Sequence, residues 1–296
     1  MEIGKKYNSK ILLFGEYTVL NGTKALAIPF DKFSGTWIYK KNHPSSLEIQ
    51  KLKQYLLKVY YEGKLENFDF DDLEYQTAKG LAFDSTIPQG YGLGSSASVT
   101  AAIFDGFRKE KELLTLNELR KNLGLIESCY HGSSSGLDPL VSFLNQPVLI
   151  HDADNVELID EQNHNIDASL YLLDTKMPRR TAPLVDAYLT TFEKSEKFRK
   201  HIDEISEINN QLIDDYLLND TDSFINNFQK LSWAQYNYLS ILIPDRYREI
   251  WKKGHTSCSF DMKICGAGGG GFMMLMMYDE SVANEILKDE ILIPLK

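Results

Sequence analysis

The glycine-rich segment PQGYGLGSSA is the feature that most constrains how this chain can fold. Gly90, Gly92 and Gly94 alternate with other residues, so the backbone can adopt positive φ angles and approach a ligand closely. Ser95 and Ser96 follow, and the alanine-rich stretch after them predicts a helix, whose free N–H groups and dipole favour an anion. The segment lacks the G-K-[ST] of a Walker loop and the context of a Rossmann fingerprint. Alone, it predicts an anion-binding turn at the start of a helix.

A second glycine run lies near the other end of the chain, in the sequence KICGAGGGG. More than half of its residues are glycine, and it precedes an apolar run that predicts a strand at residues 272–277. We call residues 88–97 the first glycine segment and residues 263–271 the second. A flexible turn capped by serine could account for the first segment by itself, and close backbone packing under a helix could account for the second. Two such segments in one chain suggest that both approach the same large ligand.

A serine- and glycine-rich loop separates two acidic residues, Glu127 and Asp138, in the sequence ESCYHGSSSGLD. A divalent cation bound to a nucleotide needs few protein oxygens, so one carboxylate and one hydroxyl suffice to hold it. The pattern is weak by itself, because an aspartate before a proline is also common in turns and helix N-caps. The two carboxylates therefore become a candidate cation ligand and base only together with the glycine segments.

The overall charge argues against a nucleic-acid partner. The 296 residues carry a formal net charge of −10, whereas binding to a phosphate backbone favours a basic surface. The three cysteines lack the C-x-x-C spacing of a zinc or redox site, so reduced thiols are expected. No apolar run has the length of a signal core or a membrane span. We therefore expect a cytoplasmic protein with no membrane or nucleic-acid partner.

The predicted strands and helices do not alternate regularly, which favours an α+β fold over a doubly wound sheet. Short apolar runs predict strands at residues 10–15, 25–29, 34–39, 73–83, 147–150, 168–173 and 272–277. Helical spacing of apolar residues predicts helices at 47–61, 95–109, 114–130 and 280–288, and long amphipathic helices within 183–238.

Three motifs, in this order, resemble those of the GHMP kinases (galactokinase, homoserine, mevalonate and phosphomevalonate kinases). They are KILLFGEYTVLNG, PQGYGLGSSASVTAA and KICGAGGGG, and they extend over residues 10–271, almost the whole chain. Within the family, ESCYHGSSSGLD and DTKMPRRT are similar to segments of mevalonate kinases. The resemblance implies a two-lobed α+β GHMP kinase fold. Its N-terminal lobe (residues 1–178) would be like ribosomal protein S5 domain 2, and its C-terminal lobe (residues 179–296) would be ferredoxin-like.

The resemblance also implies roles for individual residues at an ATP site between the lobes. Asp138 would be the catalytic base for the acceptor hydroxyl, and Lys10 would neutralise charge on the transferring phosphoryl group. Ser96 and Glu127 would hold Mg²⁺ between the β- and γ-phosphates. The nucleotide-binding residues implied are Gly90, Gly92, Leu93, Gly94, Ser95, Ser96, Gly266, Gly268 and Gly269. Those implied on the acceptor side are Glu16, Tyr17, His131, Arg179 and Thr181.

The implied activity is ATP-dependent phosphorylation of a small-molecule hydroxyl, with mevalonate as the first candidate acceptor and 5-phosphomevalonate as its product. Tyr17 stands where mevalonate kinases usually have histidine and is more typical of phosphomevalonate kinases, so phosphomevalonate and sugars stay open as acceptors. Ser9 and Cys265 also depart from the family pattern. A catalytically silent relative is least favoured, because all four residues assigned to catalysis and metal binding are present. The expected partners are ATP with Mg²⁺ and a small hydroxylated acid, and a homodimer is a further option.

Overall fold

A computed structural model describes residues 1–109, 114–152, 155–160, 166–179 and 181–295, but not the side chain of His131. Its strands are β1 (Lys6–Phe14), β2 (Ala25–Tyr39), β3 (Leu81–Ser85), β4 (Val148–Ile150), β5 (Val156–Leu158), β6 (Ser169–Asp174), β7 (Phe260–Ile264), β8 (Phe272–Met277) and β9 (Ile291–Pro294). Its α-helices are α1 (Ser45–Tyr61), α2 (Phe70–Ala78), α3 (Ser95–Phe107), α4 (Leu116–His131), α5 (Leu137–Leu144), α6 (Thr181–Lys194), α7 (Glu196–Leu218), α8 (Thr221–Tyr238), α9 (Asp245–Thr256) and α10 (Glu280–Ile286).

The strands form two antiparallel sheets, one in each half of the chain. The first has the order β1-β2-β4-β5, with β3 also paired to β2, and the second has the order β7-β8-β6-β9. Helices cover these sheets without regular β–α alternation, so the predicted α+β class is confirmed. The predicted lobe boundary at residues 178 and 179 stays a prediction. The sheets themselves divide earlier, because β6 already pairs with β8 and β9.

The two strands predicted at 25–29 and 34–39 are one continuous strand, β2. Asp31 and Lys32, which lie between the two predicted strands, are exposed but do not end the strand. Instead, the pairing with β1 shifts there, from Ser9 opposite Phe30 to Asn8 opposite Ser34. The intervening residues form an irregularity in the ladder that brings polar side chains to solvent without ending the strand.

The strand predicted at 73–83 was wrong, because this stretch holds the end of helix α2 and the start of strand β3. The side chain of Asp69 accepts a hydrogen bond from the backbone N–H of Asp72 and so caps α2. Leu73 is the buried residue of this short helix. Gly80, with φ 93°, then turns the chain into β3.

Two apolar cores lie against the two sheets, and strand β1 contributes to both. Tyr7 packs in the first core, between the first sheet and helices α1, α3, α4 and α5. Ile11 and Leu13 pack in the second core, which the second sheet shares with α7, α8 and α9. The ring of Phe14 meets that of Phe224 on α8 edge-to-face, with centroids 5.8 Å apart. Strand β1 therefore holds the two halves of the chain together beside the cleft described below.

Among the described residues, no helix has the length and apolar character that a membrane span requires.

Candidate active site

A cleft of about 430 Å³ opens between the two glycine segments. Most of the residues that the sequence predicted for the site line it: Lys10, Glu16, Tyr17, Gly90, Gly92, Gly94, Ser95, Ser96, Glu127, Asp138, Arg179, Thr181 and Gly266. They come from β1, α3, α4, α5 and α6 and from the loops beside these elements. The cleft is thus built from both halves of the chain.

The first glycine segment forms the floor of the cleft at the start of α3. Its three alternating glycines have φ angles of 76–77°, the left-handed region that favours glycine. Gly94 is the N-cap of α3 and offers no side chain, so the N–H groups of the first helical turn have no side-chain cap. Such a turn is suited to an anion. The carbonyl of Leu93 accepts a hydrogen bond from the N–H of Lys10 at 3.0 Å, which fixes the segment against β1.

Arg179 links the two glycine segments. Its backbone N–H donates to the carbonyl of Gly90 at 3.1 Å. Its Nη1 donates to the carbonyls of Cys265 at 2.6 Å and Gly270 at 3.2 Å. A Cβ atom on Gly92 would lie 1.8 Å from Nη2, so this position needs glycine for space as well as for its backbone angle. Burial lowers the pKa of the guanidinium.

Lys10 and Asp138 form an ion pair in the cleft. Nζ of Lys10 lies 2.7 Å from Oδ2 of Asp138, and the side chains are 6% and 38% exposed, respectively. Lys10 projects from β1, and Asp138 lies in the first turn of α5, where the helix dipole favours a negative charge. The exposed carboxylate can therefore meet a small molecule while the buried amine holds its position.

Glu127 lies deeper in the cleft and is held by two hydroxyl groups. Ser96 donates to Oε1 at 3.1 Å, and Ser134 donates to Oε2 at 2.5 Å. Burial and the nearby charge of Asp138 raise the pKa of this carboxyl to about 7, although the two hydroxyls and Lys10 lower it. The described residues contain no group of three or more acidic, histidine or cysteine side chains that could hold a metal. A cation beside Glu127 and Ser96 would therefore take its remaining oxygens from a nucleotide and water, as Mg²⁺ usually does.

Glu16 and Tyr17, which were predicted to lie on the acceptor side, follow β1 in the chain. The polar groups of both side chains contact the second glycine segment. Oε1 of Glu16 lies 2.5 Å from Nζ of Lys263. The hydroxyl of Tyr17 donates to the carbonyl of Ala267 at 2.7 Å, and its ring packs on that of Tyr188 with centroids 4.5 Å apart. Both residues line the cleft, and their contacts with Lys263 and Ala267 also connect its two sides.

Three predicted nucleotide contacts lie behind the cleft surface. Leu93 is buried. Gly268 and Gly269 pack against Leu242, whose carbonyl accepts a hydrogen bond from the N–H of Gly269 at 2.6 Å. The side chain of His131 lies outside the described residues. Direct ligand contact by these four residues stays a prediction.

The sequence did not single out several residues that shape the site. Ser134 was one of three equivalent serines in the loop before Asp138, and its bond to Glu127 becomes visible only in three dimensions. Lys263 carried no assigned role. An apolar wall was also missed, because its members come from β1, the turn after it and α6: Leu12, Val19, Leu20 and Val185.

Known GHMP kinases resemble this chain in sequence and in fold. The family model for the N-terminal domain of GHMP kinases matches residues 54–146. A mevalonate kinase from Thermococcus onnurineus is 25% identical in an alignment 312 positions long, gaps included, that covers 90% of this chain and 86% of that protein. The crystal structure of L. major mevalonate kinase in complex with R-mevalonate superposes with a TM-score of 0.68 at 16% identity, covering 98% of this chain and 94% of that one.

A Streptococcus pneumoniae phosphomevalonate kinase has the same fold, with a TM-score of 0.64 at 15% identity, covering 98% of this chain and 97% of that one. The fold by itself therefore does not choose between acceptors. The family match, the extent of the mevalonate kinase alignment and the shared two-lobed fold lead to one assignment. Residues 54–146 match the N-terminal domain of GHMP kinases, and 90% of the chain aligns with a mevalonate kinase, which indicates an ATP-dependent phosphotransferase whose acceptor is an alcohol group.

Proposed function

We propose that this enzyme transfers the γ-phosphoryl group of ATP to the 5-hydroxyl group of mevalonate, giving 5-phosphomevalonate and ADP. The observation that carries this proposal is the Lys10–Asp138 pair, which lies in the cleft between the two glycine segments. Phosphoryl transfer needs positioned groups and charge neutralisation more than covalent chemistry by the protein. The pair supplies a base and a cation at one place.

Asp138 acts as the base in this proposal. Its partly exposed carboxylate accepts the proton of the acceptor hydroxyl while that oxygen forms a bond to the γ-phosphorus. The bond between the γ-phosphorus and the β–γ bridging oxygen breaks, and ADP leaves with that oxygen. The ammonium of Lys10, 2.7 Å from the carboxylate, neutralises charge that develops on the transferring group.

The first glycine segment binds the phosphates through the backbone amides at the start of α3. The nucleoside end would lie in a second cavity of about 430 Å³, which adjoins the first because Ser95 lines both. Ile49 and Val99 give this second cavity apolar surface, and His43 and Asp84 give it polar groups. ATP would therefore lie across the N-terminus of α3.

Ser96 and Glu127 would hold Mg²⁺ with the nucleotide. Both supply oxygen ligands, which suit this ion, and they lie within 3.1 Å of each other. When bound, the ion neutralises charge on the β- and γ-phosphates. Glu127 must be ionised to bind it, and the oxygens of Ser96 and Ser134 fix the orientation of its carboxyl.

The charge and polarity of the acceptor end favour a small acid over a sugar or a phosphomonoester. Four apolar side chains line the cleft, and they suit the methyl and methylene groups of mevalonate better than the hydroxyl-rich faces of a sugar. The cationic side chains that line the cleft are Lys10 and Arg179, among the described residues. Lys10 is paired with Asp138, so one cation is left for one anionic group, such as a carboxylate. Tyr17 also lines the cleft, and a tyrosine at this position is more typical of phosphomevalonate kinases. Phosphomevalonate is therefore the second candidate acceptor.

The test is ADP release with mevalonate, phosphomevalonate or a panel of sugars, each measured with and without Mg²⁺. The proposal expects turnover with mevalonate that depends on Mg²⁺, and formation of a phosphomonoester seen by ³¹P NMR. Turnover with phosphomevalonate alone, or with a sugar alone, would overturn the acceptor assignment. ATP binding with no turnover in any arm would point to a silent relative.

A further inference from the structure

Lys263 and Glu16 form a buried ion pair that connects the two halves of the chain beside the cleft. Nζ of Lys263 lies 2.5 Å from Oε1 of Glu16, and their side chains are 0% and 1% exposed. Lys263 projects from β7 of the second sheet, whereas Glu16 follows β1 of the first. The ammonium also donates to the carbonyl of Ile264 at 2.8 Å. Because Lys263 has no exposed surface, it has no direct contact with a substrate.

A gain in folding stability does not by itself explain why this ion pair is buried here. Taking two charges out of water costs free energy that their attraction only partly offsets, and apolar residues of the same size are often as stable. A buried pair does impose one geometry, since each charge has to stay against its partner. The location of Lys263 and Glu16 in the structure therefore indicates which part of the molecule the pair holds in place.

The pair fixes the second glycine segment where it enters the cleft. The Glu16 carboxyl also accepts a hydrogen bond from the backbone N–H of Gly266, which lowers its pKa against the larger effect of burial. A second hydrogen bond joins the next residue of each segment: the hydroxyl of Tyr17 donates to the carbonyl of Ala267. Gly266 and Ala267 both line the cleft. The ammonium of Lys263 thus fixes the position of the Glu16 carboxylate, and that carboxylate in turn fixes the backbone at Gly266.

We propose that Lys263 is a positioning residue of the phosphotransfer site, which acts through Glu16 to hold the Cys265–Ala267 turn at its distance from Asp138 and the first glycine segment. The proposal rests on the phosphotransferase function proposed above. The first glycine segment binds the nucleotide from the other side of the cleft, so loss of the tether should disturb the approach of acceptor and phosphate more than ATP binding. A displacement of about 1 Å between reacting groups can lower a rate by about a hundredfold.

The test compares two variants, Lys263→Met and Lys263→Met/Glu16→Gln, with the wild type. The methionine keeps the volume of the lysine stem. The double variant leaves no unpaired charge in the core, so it can still be tested if the single variant fails to fold. We expect kcat to fall by about 10- to 100-fold, while the dissociation constant of ATP rises by a smaller factor. Hydrogen exchange of the 265–271 amides should accelerate by at least about tenfold.

The matched control is Lys24→Met/Asp214→Asn, which removes another ion pair between the halves of the chain. Nζ of Lys24 lies 2.5 Å from Oδ1 of Asp214 on α7, and neither residue lines the cleft. This control should keep kcat within about twofold of the wild type.

Folded Lys263 variants with wild-type kcat and unchanged exchange at 265–271 would overturn the proposal. A lowered melting temperature with unchanged kcat would show that the pair serves stability only, and would overturn it as well. A wild type that phosphorylates no acceptor would refute the proposed function instead. In that case the exchange comparison still decides whether Lys263 holds the turn.

Discussion

Replacing Glu127 with glutamine should stabilise the ligand-free protein, and the gain should grow as the pH rises. Burial and the charge of Asp138 raise the pKa of the Glu127 carboxyl from its ordinary 4.5 to about 7. Between these two values the folded state binds more protons than the unfolded state, so stability falls as the pH rises. At about 1.4 kcal/mol per pKa unit, ionising Glu127 in the folded site costs about 3 kcal/mol above pH 7. Glutamine keeps the size of the side chain and has no charge to bury.

Urea unfolding of the ligand-free wild type and Glu127→Gln, at steps from pH 5 to pH 8, measures this effect. The difference in the free energy of unfolding should increase in favour of the variant by about 2–3 kcal/mol between pH 5 and pH 8. Comparing the two proteins at each pH cancels the titration of all other groups that they share. A difference that stays constant over this range would refute the argument, because it would mean that Glu127 titrates alike in the folded and unfolded states.

Three further substitutions test other parts of the site. Asp138→Asn should lower kcat by about a thousandfold or more, since it removes the base, while ATP binding measured by calorimetry stays within about threefold; near-normal turnover would exclude Asp138 as the base. Gly92→Ala places a Cβ atom 1.8 Å from Nη2 of Arg179 at a φ of 76°, so ATP binding should weaken by at least about tenfold; wild-type affinity would contradict the close packing. Tyr17→Phe removes the hydrogen bond to Ala267 and should lower the free energy of unfolding by about 1–2 kcal/mol; an unchanged denaturation midpoint would show that this bond contributes nothing.

Local sequence patterns predicted the secondary structure well where one period dominated. The helix predicted at 95–109 and the strand predicted at 272–277 match α3 and β8 closely. The prediction for 73–83 failed because it treated as one strand a stretch in which Gly80 separates two elements, the end of α2 and the start of β3. The continuity of β2 was also missed, since an irregularity in pairing depends on the neighbouring strand and not on β2 alone.

The site was predictable as far as its residues lie in compact motifs. Lys10, Glu127 and Asp138 stand in segments that resemble family motifs, and the structure places them around one cleft. Lys263 also stands in a motif, yet its role was not predictable, because a lysine in a strand usually reaches solvent. Its partner Glu16 is 247 residues away in sequence. Burial and pairing at this distance follow from how the two sheets pack, which no local pattern records.

Binding of ATP with Mg²⁺ should release a proton from Glu127. A carboxylate binds a metal only in its ionised form, so the proton has to leave when the cation arrives. Because the pKa is about 7 in the ligand-free site, about 0.9 proton should leave at pH 6, about 0.5 at pH 7 and about 0.1 at pH 8. Calorimetric titrations in buffers of different ionisation enthalpy count these protons, and Glu127→Gln corrects for those that the nucleotide itself releases. If the unfolding experiment confirmed the raised pKa and the wild type and Glu127→Gln still released equal numbers at pH 7, Glu127 would not be a ligand of the cation, and the burial of its carboxyl between Ser96 and Ser134 would need another explanation.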